Sequence, residues 1–227
     1  MKIIKPYFEV LQIPEGHVSL KHIEVAARTC YKSEEKTTEN SAAALLKRLI
    51  KSGHHSVFEH AGVSVRIVCD RGITHELVRH RLSSFSQEST RYANYSKDKF
   101  GKEITVIKPF FWADGSDLYG TWVKAMEAAE SAYLKLIEIG ASAQEARSVL
   151  PNSLKTEIIV TANLRQWRHI FNLRCAKASH PQIRQIMLPM LSVFNENIPI
   201  VFADLVEKFK GDIKAFPEPA ERRGTVN

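Results

Sequence analysis

The chain has 227 residues, 44% of them hydrophobic and 25% charged, and its 32 Lys and Arg against 25 Asp and Glu leave a formal net charge of +7. That balance describes a folded, moderately basic protein of one large domain and excludes disordered and collagen-like chains. No apolar run approaches the roughly 18–20 residues that cross a bilayer, and Met1-Lys2-Ile3-Ile4-Lys5-Pro6 lacks the apolar stretch of a signal peptide, so a cytoplasmic chain is expected.

Along the chain, Ser19-Leu20 opens a helix with Leu20, Ile23, Ala26 and Ala27 on one face, and Asn40 to Ser52 forms a second, stopped by Gly53. Val63, Val65 and Ile67 alternate with Ser64 and Arg66, which predicts a strand over Gly62 to Cys69. A helix is predicted from about Ile73 to Leu82, followed by a polar loop. Glu103 to Lys108 is a β-branched run ended by Pro109. The longest helical pattern is Asp117 to Ile139, with Leu118, Trp122, Met126, Ala129, Tyr133 and Leu136 on one stripe and Gly140 as its stop. Ser142 and Glu145 form a capping-box pattern for a short helix that ends by Pro151. Thr156 to Thr161 is strand-like, Asn163 caps a helix to about Arg174, and Ser179-His180-Pro181 starts another toward Phe194, whose Met187 and Met190 belong to the core. Helices of unequal length between a few strands predict an α+β fold: mixed helices packed on a small, mainly antiparallel sheet, with 1–227 as a single domain.

The charge is unevenly placed. No acidic residue occurs between Glu157 and Glu196, while Arg165, Arg168, Arg174, Lys177 and Arg184 fall in that window. A cationic stretch interleaved with Trp167, His169, Phe171 and His180 predicts an anionic partner, either nucleic acid or a phosphorylated small molecule. Cys30, Cys69 and Cys175 are distant and odd in number, so reduced and mostly buried thiols are expected.

Residues 75–92 hold three arginines, two histidines and five Ser or Thr hydroxyls. On the helix expected there, Glu76 lies one turn from Arg79 and His80 and orients either cation. The polar residues after it supply short donors and acceptors, and two arginines beside hydroxyls bind a phosphate through charge-assisted forks.

The order Arg79-His80-Arg81, seven residues, Ser89 is the pattern R-H-R-x7-S, and with Arg91-Tyr92 behind it the stretch resembles the flavin-dependent thymidylate synthases, the ThyX family. Gly53-His54-His55-Ser56-Val57-Phe58-Glu59-His60 is similar to that family's G-H-x-[ST]-x-F-E-H segment. Asn163-Leu164-Arg165 and Asn172-Leu173-Arg174 fall where it has N-x-R and N-L-R elements, so the resemblance spans nearly the whole chain.

The resemblance implies a methyltransferase that converts dUMP to dTMP, with methylenetetrahydrofolate as carbon donor, FAD as hydride carrier and NADPH as reductant. It also implies a homotetramer with shared active sites and no nucleic-acid or membrane partner. Carried over by residue, Ser56, Arg79, His80, Arg81, Asn163, Arg165 and His169 contact FAD. Glu76, Arg79, Gln87, Glu88, Ser89, Thr90, Arg91, Arg147 and Arg174 contact dUMP, with Arg91 and Arg147 on the phosphate. Arg174 is the catalytic residue, favouring negative charge on the pyrimidine so that C5 becomes nucleophilic. Three positions depart from the commoner pattern. Gln87 stands where many members have Glu, with Glu88 directly after it, and either of the two makes the nucleotide and flavin contacts. Glu76 replaces a frequent Gln, and its carboxylate repels a phosphate unless Arg79 or His75 neutralises it. His169 stands where Asn is common.

Plainer readings compete. His54, His55, Glu59 and His60 match no zinc motif, so no metal is expected. Cys175 has no nucleophile motif around it, and Ser89 has no evident base, so it positions substrate. The rival function is a basic nucleic-acid-binding module, whose affinity would fall steeply with salt.

Overall fold

The computed structural model describes residues 1–225. In chain order they form β1 (Lys2–Ile4), β2 (Tyr7–Gln12), α1 (Gly16–Thr29), α2 (Ser41–Lys51), β3 (Gly62–Asp70), α3 (Arg71–Leu77), β4 (Ser83–Gln87), β5 (Thr105–Ile107), α4 (Asp117–Glu138), α5 (Ala143–Ala146), β6 (Lys155–Asn163), α6 (Leu164–Arg174), α7 (Pro181–Asn197), α8 (Pro199–Ala215) and β7 (Glu221–Thr225). Five strands are hydrogen-bonded in the order β4-β6-β3-β2-β7, and β1 pairs with β5. β3 and β6 run antiparallel: the Leu164 amide donates to the Ala61 carbonyl at one end, and the Arg71 amide to the Leu154 carbonyl at the other. The pair β1–β5 is parallel, with Lys2 opposite Thr105 and Ile4 opposite Ile107. The expected α+β class is the one observed. No helix among the described residues is long and apolar enough to cross a membrane.

By contacts the chain divides into two compact units: Met1–Tyr7, Ile67–Arg79 and Ser86–Ile158 in one, and Phe8–Arg66, His80–Phe85 and the chain from Ile159 onward in the other. In the first unit α4 follows its sequence pattern. Ser116 Oγ accepts from the Tyr119 amide at 3.2 Å, and Gly140 at φ +105° takes the left-handed position that ends the helix. Trp122, Met126 and Tyr133 are buried with Tyr95, Ile104, Val106 and Leu154, whereas Leu118, assigned to the same stripe, is exposed. The capping box forms as expected, with the Ser142 amide donating to Glu145 Oε2 at 2.8 Å.

The core of the second unit is aromatic. Trp167 and Phe171 of α6 meet Phe194 of α7, and Phe171 and Phe194 meet Phe202 of α8, all four rings being fully buried. Edge-to-face contacts of 5.0–5.8 Å fix how α6 lies on the other two helices. Met187 and Met190 are buried there as expected. α2 buries Ala42, Leu46 and Leu49, and Gly53 at φ +72° follows it. α1 begins at Gly16, earlier than its sequence pattern predicts, where any Cβ would lie 2.7 Å from the Asn197 carbonyl oxygen.

Two expectations fail between Ile73 and Gln87. The helix ends at Leu77, not Leu82. Asp70 caps it, with Oδ1 accepting from the Ile73 amide at 3.0 Å, and Ile73 and Leu77 are its buried pair. Val78 and Leu82 are exposed, so no apolar face continues beyond Leu77. The segment expected to be a loop begins as the strand β4, an edge position where Ser and Gln replace the apolar alternation that identifies central strands.

Candidate active site

In the second unit α6 and its cap carry several of the side chains expected at the site. The Asn163 carboxamide oxygen caps it, accepting from the Gln166 amide at 2.8 Å, which leaves the side-chain NH2 available. Arg165, in the first turn, donates from Nη1 to Glu59 Oε1 at 2.5 Å, on the 3-10 turn Ser56–His60. His169, one turn on, is exposed, and its ring stands edge-on to that of His80, 5.8 Å between centroids. Arg174, the last residue of α6, donates from Nε to His80 Nε2 at 2.9 Å.

That bond fixes the state of His80. The ring is 5% exposed; burial first, then the charge of Arg174 and the neighbouring His169, lower its pKa from 6.5 to about 4. At neutral pH His80 is uncharged and accepts at Nε2, so its proton sits on Nδ1. An unfolded chain takes up this proton near pH 6.5 and the folded one only near 4, so this group's contribution to stability is complete above about 6.5 and declines as pH falls through that window. Nitrogen-15 NMR of the His80 ring should show the Nδ1–H tautomer at pH 7 and titration near 4; titration near 6.5 would contradict the placement.

Around α6 lie three cavities. One of about 500 Å3 is lined by Arg81, Ser83, Ser84, Thr161, Asn163 and Glu59, among others. Ser83 Oγ is buried there and has no hydrogen-bond partner among the described residues, and Arg81 is exposed. A second, of about 340 Å3, is bordered by Cys30, Tyr31, His54, His55, Ser56 and Arg165. A third, of about 500 Å3, includes His55, His169, Asn172 and Lys208. Two guanidiniums, several hydroxyls, the free Asn163 amide and an orphaned serine suit a polyanionic ligand with hydroxyl groups, such as the pyrophosphate and ribose of a flavin dinucleotide. Among the described residues the only carboxylate bordering the first of these cavities, that of Glu59, is paired with Arg165.

The first unit holds a separate set. Glu76 is half-buried in α3 and Arg79 is exposed just beyond it; with the helix broken, Arg79 meets Glu76 through a backbone contact of 3.4 Å. Gln87 turns inward, its Nε2 donating to Thr74 Oγ1 at 2.9 Å and Thr156 Oγ1 at 3.3 Å. Glu88 accepts from the Tyr95 hydroxyl at 3.2 Å and from Lys155 Nζ at 3.0 Å. Burial and this carboxylate push the Tyr95 hydroxyl up, so it stays a donor. Ser89 Oγ accepts from the Arg91 amide at 3.3 Å, and Thr90 is buried. Arg91 donates to Gln144 Oε1 at 3.4 Å, and Arg147 lies three positions after that glutamine and is exposed. Gln144 thus ties the Arg91 guanidinium to α5, the helix that Arg147 follows. Gln144, Tyr95 and Lys155 escaped the sequence reading because they fall outside the motifs and act by supporting motif residues.

The expectation that the cations of the acid-free stretch face an anionic partner is corrected for two of the five. Arg168 forms a two-bond fork with Asp204, 2.7 and 2.6 Å, and also donates to the Val201 carbonyl; Arg184 pairs with Asp212 at 2.6 Å. Both acids come from α8, distant in sequence, so local charge counting missed them. Burial works against the Asp204 carboxylate, but its Arg168 partner holds its pKa below the usual value. Cys30 is exposed, unlike the other two thiols, and burial pushes Cys175 up to about 12, a thiol unsuited to nucleophilic attack. Among the described residues no group of three or more His, Cys, Asp or Glu is placed to hold a metal ion.

A family model described as thymidylate synthase complementing protein matches residues 16–200, a span that takes in Ser56, the R-H-R segment and all of α6. The chain belongs to this family. Its relatives include proteins named flavin-dependent thymidylate synthase from Geobacter sulfurreducens, 36% identical over 84% of this chain and 82% of the relative, and from Mycobacterium tuberculosis, 36% identical over 80% and 78%. A third, from Pyrococcus furiosus, is 38% identical over 70% of this chain and 65% of its own. Among solved structures, the UMP/dUMP methylase PolB from Streptomyces cacaoi, bound with 5-Br dUMP, superposes with a TM-score of 0.74 over 92% of this chain and 98% of its own. At 23% identity that likeness concerns the fold alone.

Proposed function

We propose that this family member is a flavin-dependent thymidylate synthase, an enzyme that methylates dUMP to dTMP with methylenetetrahydrofolate as carbon donor, FAD as hydride carrier and NADPH as reductant, releasing tetrahydrofolate. The observation that carries this reading is the Arg174–His80 hydrogen bond, which joins the N-L-R arginine to the R-H-R motif, 94 positions apart. Neutral His80 accepts from the Arg174 Nε–H and holds the guanidinium in one orientation, a preorganised cation for the pyrimidine carbonyl. Charge drawn onto that oxygen makes C5 nucleophilic. Arg91 and Arg147 take the nucleotide phosphate through planar forks that a lysine does not offer, with Ser89 and Thr90 beside them. Gln87 and Glu88 set the shape of that segment through Thr74, Thr156, Tyr95 and Lys155.

Arg81, Asn163, Arg165 and Ser56 would hold FAD, with His169 and Arg79 adding donors. When bound, the flavin supplies the hydride transfer that no side chain performs. The working form is a cytoplasmic homotetramer with shared active sites, and the whole chain serves as one catalytic domain. A nucleic-acid-binding module loses part of its basis, since Arg168 and Arg184, two of the five cations in the acid-free stretch, are paired with carboxylates of α8. The purified protein should be yellow, with flavin absorbance between roughly 350 and 500 nm; a colourless protein that takes up no added FAD would overturn the reading.

A further inference from the structure

One cavity of the second unit plays no part in the function proposed above. It encloses about 470 Å3 beside α1 and α2 and is lined by Arg28, Tyr31, Lys36, Arg48 and His54, with Ser33 and Ser52 adding hydroxyls. Among the described residues no carboxylate lines it. Arg28 is nearly buried and committed, donating from Nε to Glu24 Oε1 at 2.8 Å and from Nη1 to the Ser33 carbonyl at 3.3 Å. Its charge is balanced by Glu24, so Arg28 shapes the wall and leaves anion binding to Arg48 and Lys36. Lys36 has a 4.0 Å contact with Glu35, while the side chains of Arg48 and His54 have no polar partner among the described residues. Tyr31 is 70% exposed at this wall, a placement that leaves its ring open to a ligand.

The surroundings add a second constraint. Ala27, Tyr31, Leu49 and His54 also line the cavity of about 340 Å3 that contains Ser56 and Arg165. A ligand in the first cavity therefore meets, across Tyr31 and His54, whatever Ser56 and Arg165 hold. An aromatic platform beside Arg48, a cation with no acidic partner among the described residues, selects a molecule that carries both a flat ring and an anionic group.

We propose that this cavity is the anchoring subsite for the anionic end of an aromatic co-substrate, its phosphate or carboxylate held by Arg48 and its ring laid on Tyr31. The inference rests on the flavin-dependent reading for the identity of the co-substrates, of which two have this chemistry: a reduced nicotinamide dinucleotide with its 2′-phosphate, and a folate with its glutamyl carboxylates.

The test compares wild type with Arg48→Ala and Tyr31→Ala. Steady-state rates are taken with NADPH against NADH, and with mono- against triglutamyl methylenetetrahydrofolate. Calorimetry with 2′,5′-ADP and with p-aminobenzoyl-triglutamate follows binding without turnover. The expected result is a KM for one co-substrate raised fivefold or more in Arg48→Ala, with kcat within twofold and flavin absorbance unchanged. Loss of the NADPH over NADH preference assigns the subsite to the reductant; loss of the triglutamate preference assigns it to the folate. Either way the matching probe should bind the variants more weakly. If both KM values stay within twofold and both probes bind the variants as they bind wild type, the proposal is overturned, and loss of flavin from Arg48→Ala would overturn it too. Absence of dTMP with wild type would instead reject the enzymatic reading, while the calorimetry would still report on the cavity.

Discussion

Arg174→Ala should lower kcat by about two to three orders of magnitude, the usual cost of losing one preorganised donor at a site of developing negative charge, while flavin absorbance is retained. The expectation follows from geometry. Arg174 ends α6, where the buried ring of His80 accepts its Nε–H at 2.9 Å, so removing it deletes a charge already held in place. Arg174→Lys keeps the charge but loses the fork and the Nε–H, and should recover only a small part of the rate. The same variant carries a second signature. Because the Arg174 charge is one cause of the lowered His80 pKa, titration of His80 should move upward in Arg174→Ala. Wild-type turnover in Arg174→Ala, measured by dTMP formation, would remove the residue from the mechanism.

Trp167→Ala should cost about 3–5 kcal/mol in stability, read by urea denaturation. Its ring is fully buried, stacked on Phe171 at 5.6 Å and edge-on to Phe194 at 5.0 Å, and its Nε1 donates to the Val63 carbonyl at 3.0 Å. Alanine opens a cavity in the cluster that seats α6 and leaves that carbonyl without its donor. Trp167→Phe keeps most of the contact area and loses the hydrogen bond, so about 1–3 kcal/mol is expected. Since α6 carries Arg165, His169 and Arg174, both variants should also weaken flavin retention. A change below about 1 kcal/mol in Trp167→Ala would show that the site does not depend on this packing.

Much of this structure was legible in the sequence where one local rule decided the outcome. The Ser142 capping box, the Asn163 cap, Gly53 and Gly140 each mark an element end through a contact or backbone angle within a few residues. The segment after Asp70 was harder, because Val78 and Leu82 extend an apolar spacing that the fold leaves exposed, and burial is not a local property. β4 was missed because an edge strand tolerates polar residues on both sides. In the site, motif spacing singled out Arg174 and His80 but not their hydrogen bond, which joins residues 94 positions apart. Local charge likewise misled at Arg168 and Arg184, whose carboxylate partners lie on α8.

The most direct test of the central claim is to incubate folded, flavin-loaded protein with dUMP, methylenetetrahydrofolate and NADPH and to analyse both products. The account predicts dTMP together with an equal amount of tetrahydrofolate, because the hydride comes through the flavin and not from the folate. Absence of dTMP, or dTMP accompanied by dihydrofolate, would contradict it.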